Sequence, residues 1–138
     1  TKSGIKNGTT ATTADGYVEY QFTNDGPVTR DLYYQADIGT EVDVLKTNGW
    51  TLKWQYDGNL VLYQNGVAKW ASNTQNKGTA LRFQGDGNLV IYNNGVAVWN
   101  SDTPNNHHNG KGGRKLVLTP AGSLFITDQD GNVIWQGH

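Results

Sequence analysis

The stretch WQYDGNLVLY spans Trp54 to Tyr63, and FQGDGNLVIY spans Phe83 to Tyr92. A looser copy, LTPAGSLFIT, spans Leu118 to Thr127. Each copy is followed by a second glycine turn and a segment with one tryptophan: QNGVAKWASN (Gln64 to Asn73), NNGVAVWNSD (Asn93 to Asp102) and DQDGNVIWQG (Asp128 to Gly137). Alternating β-branched and aromatic residues between Gly/Asn turns predict strands, and no helical period competes with them. The chain therefore reads as all-β, built from three repeated units of strand, turn, strand, turn and strand.

Folding the phrase back on itself gives it a geometry. A three-residue loop at Asp57-Gly58-Asn59 would set Gln55 opposite Val61, Trp54 opposite Leu62 and Tyr56 opposite Leu60. Side chains alternate between the two faces of a hairpin. Leu52, Trp54, Tyr56, Leu60 and Leu62 then share the core face, and Gln55, Asp57, Asn59, Val61 and Tyr63 share the other. The second unit repeats both sets, with Leu81, Phe83, Leu89 and Ile91 inward and Gln84, Asp86, Asn88, Val90 and Tyr92 outward. The third keeps the core set as Leu116, Leu118, Leu124 and Ile126. Its outward set has become Thr119, Ala121, Ser123, Phe125 and Thr127.

That contrast separates scaffold from chemistry. Turn propensity explains the glycines and part of the Asp and Asn. It does not explain Gln and Tyr at constant offsets, because the third unit makes the turn without them. Asp accepts hydrogen bonds, while Asn, Gln and Tyr both donate and accept, and Val adds a small apolar patch. Such a set suits a neutral ligand dense in hydroxyls with one apolar edge, which is a sugar.

Other functions fit poorly. A formal net charge of -1 provides no electrostatic footprint for nucleic acid. No apolar run is long enough for a membrane-spanning helix. Cysteine is absent, so there is no disulfide framework and no thiolate metal site. His107 and His108 are adjacent in a polar loop, SDTPNNHHNGKGGRK, without the spacing of a metal site. Glycoside hydrolysis generally needs two carboxylates about one bond, and each polar set holds one; no enzyme is expected, and no cofactor.

The repeated Q-x-D-x-N-x-V-x-Y pattern resembles that of the bulb-type mannose-binding lectins of the snowdrop kind, over roughly residues 32–138. The resemblance implies a type II β-prism of three four-stranded antiparallel sheets with pseudo-threefold symmetry, and Trp70, Trp99 and Trp135 packed at its centre. It implies two metal-free mannose sites, Gln55, Asp57, Asn59, Val61 and Tyr63 in one and Gln84, Asp86, Asn88, Val90 and Tyr92 in the other. In each, Asp and Asn would take the 2-hydroxyl, Gln the 3-hydroxyl and Tyr the 4-hydroxyl, with Val against the ring carbons. Pro120 and the altered third hairpin imply no mannose site there. Plant members carry a disulfide near the positions of Gly58 and Thr79, so its absence suggests a source outside plants.

Residues 1–31 are expected to form an N-terminal extension, part strand at Tyr17 to Asn24 with a turn at NDGP, ahead of a lectin domain at 32–138. Asn7-Gly8-Thr9 is a weak glycosylation sequon. A chain starting at Thr1 with no methionine fits a mature secreted product. The resemblance implies mannosylated glycans as partners and, since members of that family often exchange C-terminal strands, a homodimer that shares the apolar terminal segment NVIWQGH. A lectin-like bacteriocin or protein-interaction module on the same scaffold is the alternative function.

Overall fold

The structure is a computed structural model describing residues 5–6, 8–14, 16–22, 32–37 and 41–138. Asn7 of the sequon and the NDGP turn lie outside the described residues. The strands in chain order are β1 (Ile5–Lys6), β2 (Gly8–Thr12), β3 (Val18–Phe22), β4 (Leu32–Asp37), β5 (Val42–Thr47), β6 (Trp50–Trp54) and β7 (Leu60–Gln64). They continue as β8 (Val67–Ala71), β9 (Ala80–Gln84), β10 (Leu89–Asn93), β11 (Val96–Asn100), β12 (Lys115–Leu118), β13 (Leu124–Thr127) and β14 (Val133–Gln136). A single helical turn, Asn105–His107, interrupts the polar loop between β11 and β12.

These strands form three antiparallel sheets, ordered β5-β6-β7-β8, β1-β4-β9-β10-β11 and β14-β13-β12-β3-β2. Four strands were expected in each; among the described residues the first sheet has four, whereas the other two have five. The difference comes from the N-terminal strands. β1 pairs along the outer side of β4, and β2 along the outer side of β3. Each thereby covers a row of backbone groups that an edge strand would leave unpaired. The segment before Leu32 also supplies β3, which pairs with β12 from Val18↔Leu118 to Gln21↔Lys115.

The three sheets enclose one core. Leu52, Trp54, Leu60 and Leu62 from the first unit are fully buried, as are Ile91, Leu118, Leu124 and Ile126 from the other two. Leu81, Phe83, Leu89 and Leu116 join them. All lie on the faces expected from alternation. Trp70, Trp99 and Trp135 pack against this core and against one another edge to face, with ring centroids 5.8, 5.7 and 5.7 Å apart. Edge-to-face packing places the electropositive rim of one ring on the π face of the next.

The hairpin register differs from the expected one. Trp54 faces Leu60, Lys53 faces Val61 and Leu52 faces Leu62. The loop is therefore Tyr56-Asp57-Gly58, not Asp57-Gly58-Asn59. Gly58 is its only residue with positive φ, at 81°. A three-residue loop of this kind is a type I turn whose last residue is left-handed, so glycine belongs at its end and not at its centre. The slip is two positions in pairing, so both face assignments survive. Only Tyr56 changes place: expected in the core, it sits in the loop and is 62 % exposed.

Candidate functional site

All three hairpins use the same backbone turn. Gln55 N–H donates to Asn59 O at 3.0 Å and Gly58 N–H to Gln55 O at 3.0 Å. The second hairpin repeats these bonds at 2.8 and 2.9 Å, from Gln84 to Asn88 and from Gly87 to Gln84. In the third they run from Thr119 to Ser123 at 3.0 Å and from Gly122 to Thr119 at 2.9 Å. Gly58 is required twice over, since a Cβ there would also lie 2.1 Å from the Gly78 carbonyl oxygen.

The expected polar residues of the first hairpin converge on one face. Asp57 Oδ1 accepts from Asn59 N–H at 3.0 Å and from Gln55 Nε2 at 3.1 Å. Tyr63 donates its hydroxyl proton to Gln55 Oε1. Asn59 Oδ1 accepts from Ser72 Oγ at 3.0 Å and from Thr74 N–H at 3.1 Å. Val61 lies beneath, only 3 % exposed. With those bonds made, Asp57 Oδ2 and Asn59 Nδ2 have no partner among the described residues. Gln55 Nε2 retains one proton and Tyr63 Oη its lone pairs. The site therefore offers alternating acceptors and donors, fixed in orientation, above an apolar floor.

The second hairpin repeats the internal bonds of the first, but here Asp86 Oδ2 also accepts from Gln84 Nε2 and Asn88 Nδ2 donates to Asn100 Oδ1, both at 3.5 Å. Asp86 Oδ1 accepts from Asn88 N–H at 2.9 Å and Gln84 Nε2 at 3.3 Å, and Tyr92 donates to Gln84 Oε1. Asn88 Oδ1 accepts from Ser101 Oγ and Thr103 N–H, both at 3.2 Å. Asn100 stands where the first site has Ala71, opposite the Val position, and its Oδ1 lies 3.5 Å from Asn88 Nδ2.

Sequence reasoning did not single out Ser72, Thr74, Ser101 and Thr103. These residues fix each Asn amide, and Thr74 and Thr103 also donate to the carbonyls of Gly58 and Gly87, at 2.7 and 2.6 Å. A signal was present: S-x-T occurs in ASNT and NSDT after the tryptophan of units one and two, where unit three ends in QGH. The third hairpin is closed differently. Thr119 Oγ1 accepts from Ser123 N–H at 3.0 Å, and His138 Nδ1 meets Gly122 O at 2.8 Å. Trp50 backs the turn so closely that a Cβ on Gly122 would lie 2.2 Å from its ring. The residues Thr119, Ala121, Ser123, Phe125 and Thr127 share the hairpin without forming a polar cluster.

The flanks of the two polar sites differ in charge. Beside Val61, Lys53 contacts Asp43 at 3.1 Å and Glu41 at 3.7 Å. The Asp43 hydrogen bond holds the Lys53 ammonium above its ordinary pKa, against a smaller opposing effect of desolvation. Beside Val90 the corresponding residue is Arg82, whose guanidinium carbon lies 5.0 Å from the Tyr92 ring centroid. His107 and His108 turn back on Asp102, and no group of three metal-ligating side chains occurs among the described residues.

No family model matches the chain, and no curated protein sequence does. Solved structures do. A monomeric monocot mannose-binding lectin from Gastrodia elata is 34 % identical, over 75 % of this chain and 94 % of that one, with a TM-score of 0.59. The chain belongs to the bulb-type lectin family. A mannose-specific bulb lectin from Scilla campanulata, the bluebell, is 28 % identical over 87 % of this chain and 94 % of that one, with a TM-score of 0.52. A lectin of Marasmius oreades, 21 % identical, shares the fold, covering 81 % of this chain and 90 % of that one with a TM-score of 0.61. The three antiparallel sheets are those of the β-prism lectin fold. Bulb-type lectins are non-enzymatic, and this chain is accordingly not an enzyme.

Proposed function

We propose that this bulb-type lectin binds mannose, and glycans ending in mannose, without metal at the two polar hairpins. Gln55, Asp57, Asn59, Val61 and Tyr63 form one site, and Gln84, Asp86, Asn88, Val90 and Tyr92 the other. The observation that carries this reading is the set of side-chain atoms left over after the internal bonds are made. Asp57 Oδ2 is an acceptor and Asn59 Nδ2 a donor, both held by other protein groups and both without a partner among the described residues. Adjacent sugar hydroxyls each donate and accept, so an alternating row of fixed partners matches them. An epimer that moves one hydroxyl leaves protein groups unpaired, which costs about 1–3 kcal/mol. The third hairpin makes the same backbone turn but lacks these atoms, so it is proposed to bind no mannose.

A shallow site of this kind binds a single sugar at about millimolar strength, roughly 4 kcal/mol. Two sites engaging one branched glycan raise the effective affinity by a factor of about a hundred. Pairing of two chains would multiply the effect further. β14 pairs with β13 of its own chain, so exchange of that strand is not needed to complete the sheet. An extracellular setting, where mannosylated surfaces are met, fits this role.

The test is titration with mannose, followed by calorimetry, with glucose as the epimeric control. Saturable binding to mannose, weaker binding to glucose and loss of both in an Asn59→Ala, Asn88→Ala double variant of native circular dichroism is the expected result. A folded protein silent to mannose, methyl-mannoside and a mannotriose would overturn the reading. Activity against bacterial cells or a protein target would then be sought instead.

A further inference from the structure

The charge on the two site flanks is not equivalent. The residues that pair across the strands at the Val position form rows running Asp43, Lys53, Val61, Ala71 in the first sheet and Gln35, Arg82, Val90, Asn100 in the second. Paired residues of antiparallel strands point to the same face, so Lys53 and Arg82 hold corresponding places beside the two sites. Lys53 spends its charge on Asp43 and Glu41. Arg82 forms no ion pair among the described residues. Its Nε is buried and has no hydrogen-bond partner.

Stacking on Tyr92 does not remove that deficit. A ring face attracts a cation but accepts none of the in-plane N–H groups of a guanidinium. The buried Nε–H remains unspent beside a tyrosine whose hydroxyl belongs to the second site. In the first site Asp43 and Glu41 hold the lysine, and Asp57 lies in the hairpin loop. Among the described residues the second site has Asp86 in its loop, with the exposed Asp102 further along next to His107.

We infer that the second site takes an anionic mannoside, a mannose bearing a phosphate or carboxylate toward its Tyr92 end, and that Arg82 sets this preference. The first site, ringed by carboxylates, rejects the same ligand. This rests on the mannose reading of the two hairpins. A guanidinium presents paired donors that match phosphate and carboxylate oxygens, and such charge-assisted bonds are about twice as strong as neutral ones.

The experiment follows the amides of Gly58 and Asn59 against those of Gly87 and Asn88 by NMR in the intact chain. Methyl-mannoside, mannose 6-phosphate and mannuronate are titrated separately. Methyl-mannoside is expected to move both pairs of amides. Mannose 6-phosphate is expected to bind the second hairpin about tenfold more tightly than the first, with the margin shrinking in high salt. The mannuronate arm tells whether carboxylate serves as well as phosphate.

Arg82→Gln should bring the ratio of the two sites close to one, and Arg82→Lys should keep part of it. Asp43→Asn should raise phosphate-sugar binding at the first hairpin. Equal affinity of the two hairpins for mannose 6-phosphate, while methyl-mannoside still binds, overturns this inference alone. Silence of both hairpins to methyl-mannoside overturns the mannose reading and this inference with it. Should Arg82→Gln not fold, the wild-type ratio and its salt dependence decide the question.

Discussion

The first two hairpins and the third share one backbone and differ in everything placed on it. In all three, the same pair of main-chain bonds closes a three-residue loop ending in a left-handed glycine. Asp57 and Asp86 satisfy the amides of Asn59 and Asn88, and Thr119 does the same for Ser123. Thr74 and Thr103 meet the glycine carbonyls of the first two, and the His138 ring meets that of the third. The fold needs those backbone groups paired and does not require a particular side chain to pair them. What the third hairpin gives up is the surplus: a carboxylate oxygen and an amide nitrogen, which in the first have no partner among the described residues and in the second make only long bonds of 3.5 Å. In the proposed function, hydrogen-bonding capacity that folding leaves unused is what meets the sugar.

The largest expected effect tests that distinction directly. The Asn59→Ala, Asn88→Ala double variant should lose detectable mannose binding in calorimetry, while Ser123→Ala in the third hairpin should leave binding as it was. Next come changes to the shared turn. Gly58→Ala and Gly122→Ala each place a Cβ at positive φ and within 2.2 Å of a neighbour, Gly78 O or the Trp50 ring. Each should cost about 3 kcal/mol in denaturant unfolding. Gly66→Ala, where no atom lies within 4 Å, isolates the backbone part and should cost about 1 kcal/mol.

Ser72→Ala sharpens the contrast within one site. It frees the Asn59 amide from one of its two anchors and should weaken mannose binding at the first hairpin about tenfold, with the second unmoved, when each is followed by its own amides.

The smallest effect concerns the second turn of unit three. There Asp128 Oδ1 accepts from the amides of Asp130 and Asn132, both at 2.9 Å. Burial pushes its pKa up, but the bonds from Asn132 and Asp130 outweigh this and leave it lowered. A carboxyl with a lowered folded-state pKa stabilises above its unfolded value and loses that contribution as pH falls through the folded one. Asp128→Ala should therefore cost about 1 kcal/mol near neutral pH, and the gap to wild type should narrow as carboxylates protonate. Urea unfolding at several pH values checks the sign.

Much of this arrangement was legible in the sequence. The core faces followed from alternation alone, and they survived a register error because the slip was two positions, which preserves parity. The loop position was misjudged because D-G-N reads as symmetric about glycine, while the left-handed residue of this turn belongs last. Tyr56, placed in the core on that basis, is the visible cost. The pairings of β1 with β4 and of β3 with β12 are long-range contacts that no local pattern announces. The Ser-x-Thr anchors lay in plain sight, but residues that bond a binding residue carry no chemistry of their own to attract notice.

Two hairpins, and not three, are proposed to hold mannose. The most direct measurement is a methyl-mannoside titration of the labelled chain, counting which glycine amides of the three loops shift. Saturable shifts at Gly58 and Gly87 with Gly122 still, at a calorimetric stoichiometry of two, is the predicted result. Shifts at all three glycines, with three sugars bound, would contradict it, as would a folded chain in which none moves.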